Sequence, residues 1–188
     1  MNRLSDEELI VRLASGERAA MDVLVSRYHG KLIDFAQRHL NDREASADVA
    51  QITLVRVFRC AASFRQQSSF KTWLYTIALN LTREELRRRK RKGVSLFSEM
   101  SGDESEIDLA CEDVSPEDFL VGRAESVMLW QEVESLQDKH RTAVILRFRA
   151  ELTYDEIAEV MKAPSGTVRS WVHYALKTLR KSLEREQK

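Results

Sequence analysis

Leu152-Thr153-Tyr154-Asp155-Glu156-Ile157-Ala158-Glu159-Val160-Met161-Lys162-Ala163-Pro164-Ser165-Gly166-Thr167-Val168-Arg169-Ser170-Trp171-Val172 holds two helix starts and a turn within 21 residues. Thr153 and Glu156 are spaced as a capping box, in which each side chain bonds the other residue's backbone N–H. Ile157, Ala158 and Met161 form the predicted inner face of the first helix, with Ala158 small where two helix backbones approach. Pro164 and Gly166 punctuate a turn. Val168, Val172, Leu176 and Leu179 then give a second helix an apolar stripe. Its outward face carries Arg169, Ser170, His173 and Lys177. A short helix, a tight turn and an amphipathic helix make a helix-turn-helix. Groups of that kind on the outward face suit base edges in a major groove. An ordinary αα-hairpin is the plain alternative, and it gives no reason for that face.

The rest of the chain fits an all-α fold. Its 6 Gly and 2 Pro are too few for a turn-rich sandwich or barrel, and 43% hydrophobic with 32% charged residues gives a core under an ionised surface. No apolar run approaches the ~20 residues of a membrane span, and Met1 to Glu8 shows no hydrophobic signal core. The expectation is a cytoplasmic protein without membrane insertion. Cys60 and Cys111 are too far apart for a metal knuckle, and Cys60 reads as a small core residue.

The formal net charge of zero hides segregation. Residues 1–95 hold 18 Lys/Arg against 11 Asp/Glu, residues 96–122 hold nine acids and no cation, and residues 123–188 hold 12 against 10. Two basic blocks flanking an acidic tether point to a polyanionic partner. The tether mixes Gly93, Ser95, Ser98, Ser101, Gly102, Ser105, Ser115 and Pro116 with its acids and shows no helical period. The predicted organisation is therefore two small helical domains, 1–94 and 125–188, joined by an acidic flexible linker over 95–124.

The first domain reads as four helices. Ser5 and Glu8 make another capping box, Asn41-Asp42 caps a third helix, and a fourth begins at Phe70. The third is apolar on most sides, with Val49, Ala50, Ile52, Leu54, Val55, Val57 and Phe58. Its own lobe can cover only one side, so a partner protein is expected on the other, with Asp48 and Gln51 at the edge. A fully enclosed central helix is the alternative. The fourth turns Phe70, Trp73, Leu74, Ile77 and Leu81 inward. Thr72, Thr76, Asn80, Arg83 and Arg87 form the opposite stripe, which runs on into six cations, Arg87 to Lys92. Such a run repels itself and seeks an anion, for which phosphate backbone is the candidate. Catalysis has no support: the four histidines are scattered and there is no HExxH or Gly-rich phosphate loop. No cofactor or metal is expected.

Asp48-Val49-Ala50-Gln51-Ile52-Thr53-Leu54 and Phe70-Lys71-Thr72-Trp73-Leu74-Tyr75-Thr76-Ile77-Ala78-Leu79-Asn80, with the basic tail after them, resemble region two of extracytoplasmic-function (ECF) sigma factors. The helix-turn-helix, preceded by Arg141 to Arg147, resembles their region four. Lys162 stands where the family often has a turn glycine, and Trp171 where it often has Arg. The resemblance implies a non-enzymatic subunit that binds RNA polymerase core, on its clamp helices and flap, and directs it to promoter DNA in a stress response. It implies polymerase contacts at Asp48, Gln51, Ile52, Val55 and Phe58. It implies minus-ten contacts at Arg65, Gln66, Ser68, Ser69, Lys71, Thr72, Thr76, Asn80, Arg83 and Arg87. Minus-thirty-five contacts fall on Thr153, Tyr154, Ser165, Thr167, Arg169, Ser170, His173 and Lys177. An anti-sigma factor is an implied partner, and the tether is expected in a basic channel of the polymerase. A stand-alone helix-turn-helix regulator is the alternative.

Overall fold

Several helices start at side-chain caps in the computed structural model, which describes residues 3–65, 67–93 and 127–186. Gln66 and the acidic tether lie outside the described residues. Before α1 (Asp6–Ala14), the Ser5 hydroxyl accepts the Glu8 N–H at 3.1 Å, and the Glu8 carboxylate accepts the Ser5 N–H at 2.7 Å. α2 (Ala19–Leu40) ends on Asn41 in the left-handed region, φ 47°. Asp42 then caps α3 (Arg43–Cys60) by accepting the Ala45 N–H at 3.1 Å. After a short 3-10 turn, α4 (Phe70–Gly93) is capped twice. The Ser69 hydroxyl accepts the Thr72 N–H at 3.2 Å, and the Glu7 carboxylate from α1 accepts the Phe70 N–H at 3.0 Å. α1 is also tied to α2, because Asp6 accepts from Arg27 at 2.6 Å and from the Tyr28 hydroxyl.

These four helices enclose Leu9, Ile10, Leu24, Leu32, Phe35, Phe70, Leu74, Tyr75 and Leu79. Burying each contributes roughly 1.5–3 kcal/mol. The Phe35 and Tyr75 rings meet edge to face at 5.4 Å. Cys60 corrects its core assignment and is exposed. The buried series on α3 passes from Val57 to Ala61, which leaves Cys60 outside.

The second lobe contains α5 (Val127–Ser135), α6 (Asp138–Phe148), α7 (Tyr154–Met161) and α8 (Ser165–Glu186). At the start of α7, Thr153 and Glu156 form the expected capping box. Lys162 ends it at φ 56°. The inner face of α7 is Ile157, Val160 and Met161, whereas Ala158 is only half-buried. Val168, Val172, Leu176 and Leu179 are all buried on α8.

One hydrophobic cluster runs through both lobes, with α7 against α4 and α6 against α2. Polar contacts pin the seam. The Ser69 hydroxyl donates to Glu156 at 2.6 Å, and the Lys71 ammonium lies 3.6 Å from Glu151. Asp34 on α2 bonds Arg38 at 3.1 Å and stands 3.7 Å from Arg149, which follows α6. The guanidinium groups of Arg38 and Arg149 both lie over the Trp130 ring, 4.0 and 4.6 Å from its centroid. His39 Nδ1–H donates to the Phe35 carbonyl at 2.9 Å, and its Nε2 accepts from the Thr142 hydroxyl at 3.1 Å.

Candidate nucleic-acid interface

α3 has two unlike sides. Ser46, Val49, Ala50, Thr53, Leu54 and Val57 face the core, and two hydroxyls among them turn back to their own helix: Thr53 donates to the Val49 carbonyl at 2.7 Å and Ser46 to the Asp42 carbonyl. On the other side Ile52, Val55 and Phe58 are 45%, 43% and 46% exposed, with exposed Asp48 and Gln51 beside them. The enclosed-helix alternative is therefore excluded. An exposed apolar row edged by polar groups is the pattern of a protein-binding surface.

The stripe Thr72, Thr76, Asn80, Arg83 and Arg87 follows one face of α4 over about 22 Å at ~1.5 Å per residue. Asn80 and Arg87 are exposed, while Thr76 and Arg83 are half-buried. Thr72 departs from its expected exposure. It is 2% exposed, because α7 packs against α4 and the Thr72 hydroxyl turns in to Ser69 at 2.9 Å. In the loop, Arg65 is exposed and Ser68, Ser69 and Lys71 are half-buried. The cation run is also less uniform than its sequence suggests. Arg88 and Arg89 both bond Glu85, and Arg89 reaches Asp42 at 2.8 Å. Those hydrogen bonds hold the Glu85 carboxyl down at about 2. Arg87, Lys90 and Arg91 keep their exposed positions on the run.

In the second lobe, exposed Arg169 and Ser170 and half-buried His173 and Lys177 share one side of α8, and Ser165 and Thr167 sit half-buried at its start. Thr153 is exposed and Tyr154 half-buried. The Arg169 and Arg147 guanidinium groups lie over the Tyr154 ring, at 5.3 and 5.0 Å. This joins Thr153-Tyr154 to the outward face of α8. Arg147 was missed as a member of this group. Its only signal is its place in the Arg141–Arg147 string before the helix-turn-helix. Tyr174 was also missed; it is 57% exposed and stacks on His140 at 4.8 Å.

Two family models match separate stretches of the chain. The family model described as Sigma-70 region 2 matches residues 24–92, and that of Sigma-70, region 4 matches residues 133–181. The RNA polymerase sigma-H factor of Pseudomonas aeruginosa is 33% identical over 183 residues, covering 95% of this chain and 94% of its own. The ECF RNA polymerase sigma factor SigW of Bacillus subtilis is 32% identical over 177 residues, covering 93% and 94%. Among solved structures, CnrH in complex with the cytosolic domain of CnrY matches with a TM-score of 0.68 at 21% identity, covering 96% of this chain and 97% of that one. The sigma factor RpoE of Bartonella quintana, solved with the anti-sigma factor NepR, matches at 0.64 and 21%, covering 85% and 94%. The fold is shared with these structures, and by its sequence relatives the chain belongs to the ECF family of RNA polymerase sigma factors.

Proposed function

We propose that this chain is a promoter-specificity subunit that binds RNA polymerase core in the cytoplasm and performs no chemistry of its own. The exposed row Ile52, Val55 and Phe58, edged by Asp48 and Gln51, carries this reading, because a regulator working from DNA alone has no use for it. In this reading that row seats the polymerase clamp. The loop before α4 and the outward stripe of that helix take the minus-ten strand, with Arg65, Asn80 and Arg87 its exposed members. The face of α8 with Arg169, Ser170, His173 and Lys177, together with Thr153 and Tyr154, takes the minus-thirty-five duplex. Domain limits near 94 and 125 follow from the same reading, and an anti-sigma factor is its implied negative partner. Run-off transcription with purified core polymerase on a genomic promoter library tests it. The expected result is initiation at a defined set of promoters only when the chain is added. A chain that binds a duplex operator alone and adds nothing to core polymerase would establish the stand-alone regulator instead.

A further inference from the structure

Phe70 begins α4 between Ser69 and Lys71, both assigned to the minus-ten strand. The Ser69 hydroxyl already caps this helix by accepting the Thr72 N–H at 3.2 Å. That local bond supplies a start signal, yet a second acceptor arrives from another element. The Glu7 carboxylate on α1, 63 residues away in sequence, accepts the Phe70 N–H at 3.0 Å. That N–H belongs to the peptide unit joining Ser69 to Phe70. The first N–H groups of a helix have no partner inside it, and its positive end favours a carboxylate. Glu7 therefore holds the backbone at the point where loop becomes helix. Both partners belong to the first lobe, so the bond does not depend on where the second lobe sits.

The carboxylate acts from a fixed base. Leu9, Ile10 and Leu13 bury one side of α1, and the neighbouring Asp6 is held by Arg27 and the Tyr28 hydroxyl. The Tyr28 ring meets Phe70 edge to face at 5.5 Å, and the Phe64 ring lies 5.4 Å from that of Trp73. Ring contacts of this kind allow a range of offsets, whereas an N–H bond to a carboxylate is directional. The rings bury the start of α4, and the Glu7 bond fixes its position along and about the helix axis. We propose that Glu7 is a positioning residue for minus-ten recognition, setting where Ser69 and Lys71 stand without touching the strand itself. The inference rests on the reading of Ser69 and Lys71 as strand contacts.

The test uses holoenzyme assembled from the full chain and core polymerase, on promoters found by run-off transcription. Affinities for single-base variants of the two promoter elements give a discrimination ratio for each element. E7M keeps the side-chain length but has no oxygen to accept the Phe70 N–H, whereas E7Q keeps one. E7M should lower the minus-ten ratios roughly two- to tenfold, the range of one hydrogen bond's net contribution. Its minus-thirty-five ratios and core-polymerase affinity should stay at wild-type values, and E7Q should retain the minus-ten ratios. Wild-type minus-ten ratios in E7M overturn the inference. An equal fall at both elements, which marks a general loss of structure, also overturns it, as does an equal fall in E7M and E7Q. If E7M does not fold, E7D carries the comparison, because its carboxylate is one methylene shorter; wild-type ratios there likewise overturn the inference. A wild-type holoenzyme that initiates nowhere overturns the functional reading and this inference together. A selective wild-type holoenzyme beside an equally selective E7M overturns the positioning role alone.

Discussion

At the scale of single residues, two positions carry opposite lessons. Lys162 closes α7 in the left-handed region, where a Cβ crowds the backbone and glycine does not. Its side chain is exposed, so Lys162→Gly should stabilise the chain by roughly 0.5–1 kcal/mol. That would raise the thermal midpoint by about 1–4 °C in a calorimetric scan. Arg169 is a matter of readout. Its guanidinium lies over the Tyr154 ring and at the exposed face of α8. Arg169→Ala should cost roughly 1–3 kcal/mol at one base pair of the minus-thirty-five element if the contact is bidentate to guanine. Holoenzyme affinity across single-base promoter variants measures it, and equal weakening on every variant would make Arg169 a phosphate contact.

At the scale of helices, α3 is the informative element. Val55 lies on its exposed row, so Val55→Asp leaves the core of the lobe intact and places a charge where the clamp would seat. Core-polymerase binding should weaken by about 2 kcal/mol or more, some thirtyfold, while the far-ultraviolet circular dichroism stays helical. Loss of helicity would return Val55 to the core. Helices were legible in the sequence because their signals are local. Ser5 with Glu8, Asp42, and Thr153 with Glu156 each announce a start within four residues, and the α8 stripe repeats every three or four. Cys60 was misread for the converse reason. On a helix with apolar residues on several sides, composition does not say which side is inside, and the run of the buried series from Val57 to Ala61 decided it. Glu85 stands at the local three- and four-residue spacings to Arg88 and Arg89, whereas the Asp42 bond to Arg89 spans 47 residues and gave no pattern in the chain.

At the scale of the whole molecule, the seam was illegible. His39 and Thr142 are separated by 103 residues, and neither repeats nor periods connect them. The minus-ten stripe was read with Thr72 outward because the sequence does not reveal that α7 settles against α4. The seam brings its own pH dependence. Burial lowers the His39 pKa from 6.5 to about 4; the Arg141 and Arg83 charges act in the same direction, while the Phe35 carbonyl and Asp138 act against them. The unfolded chain therefore takes up a proton that the folded one refuses. Stability that is complete above 6.5 is lost as pH falls toward about 4. Across that window the loss approaches about 3 kcal/mol. Urea melts at about pH 7.5 and about pH 5 should show a smaller decline in His39→Gln than in wild type, and equal declines would remove His39 from the account. Over generations, the Trp130 ring binds the histories of the two lobes together. Arg38 comes from one and Arg149 from the other, and both rest on the same indole beside the same Asp34. Drift at any one of these four positions is felt by the remaining three, so they should change as a set among descendants. A chimera that grafts a relative's promoter-reading head onto this chain inherits half of that set, and its mismatch would surface in parts chosen only for the promoters they recognise.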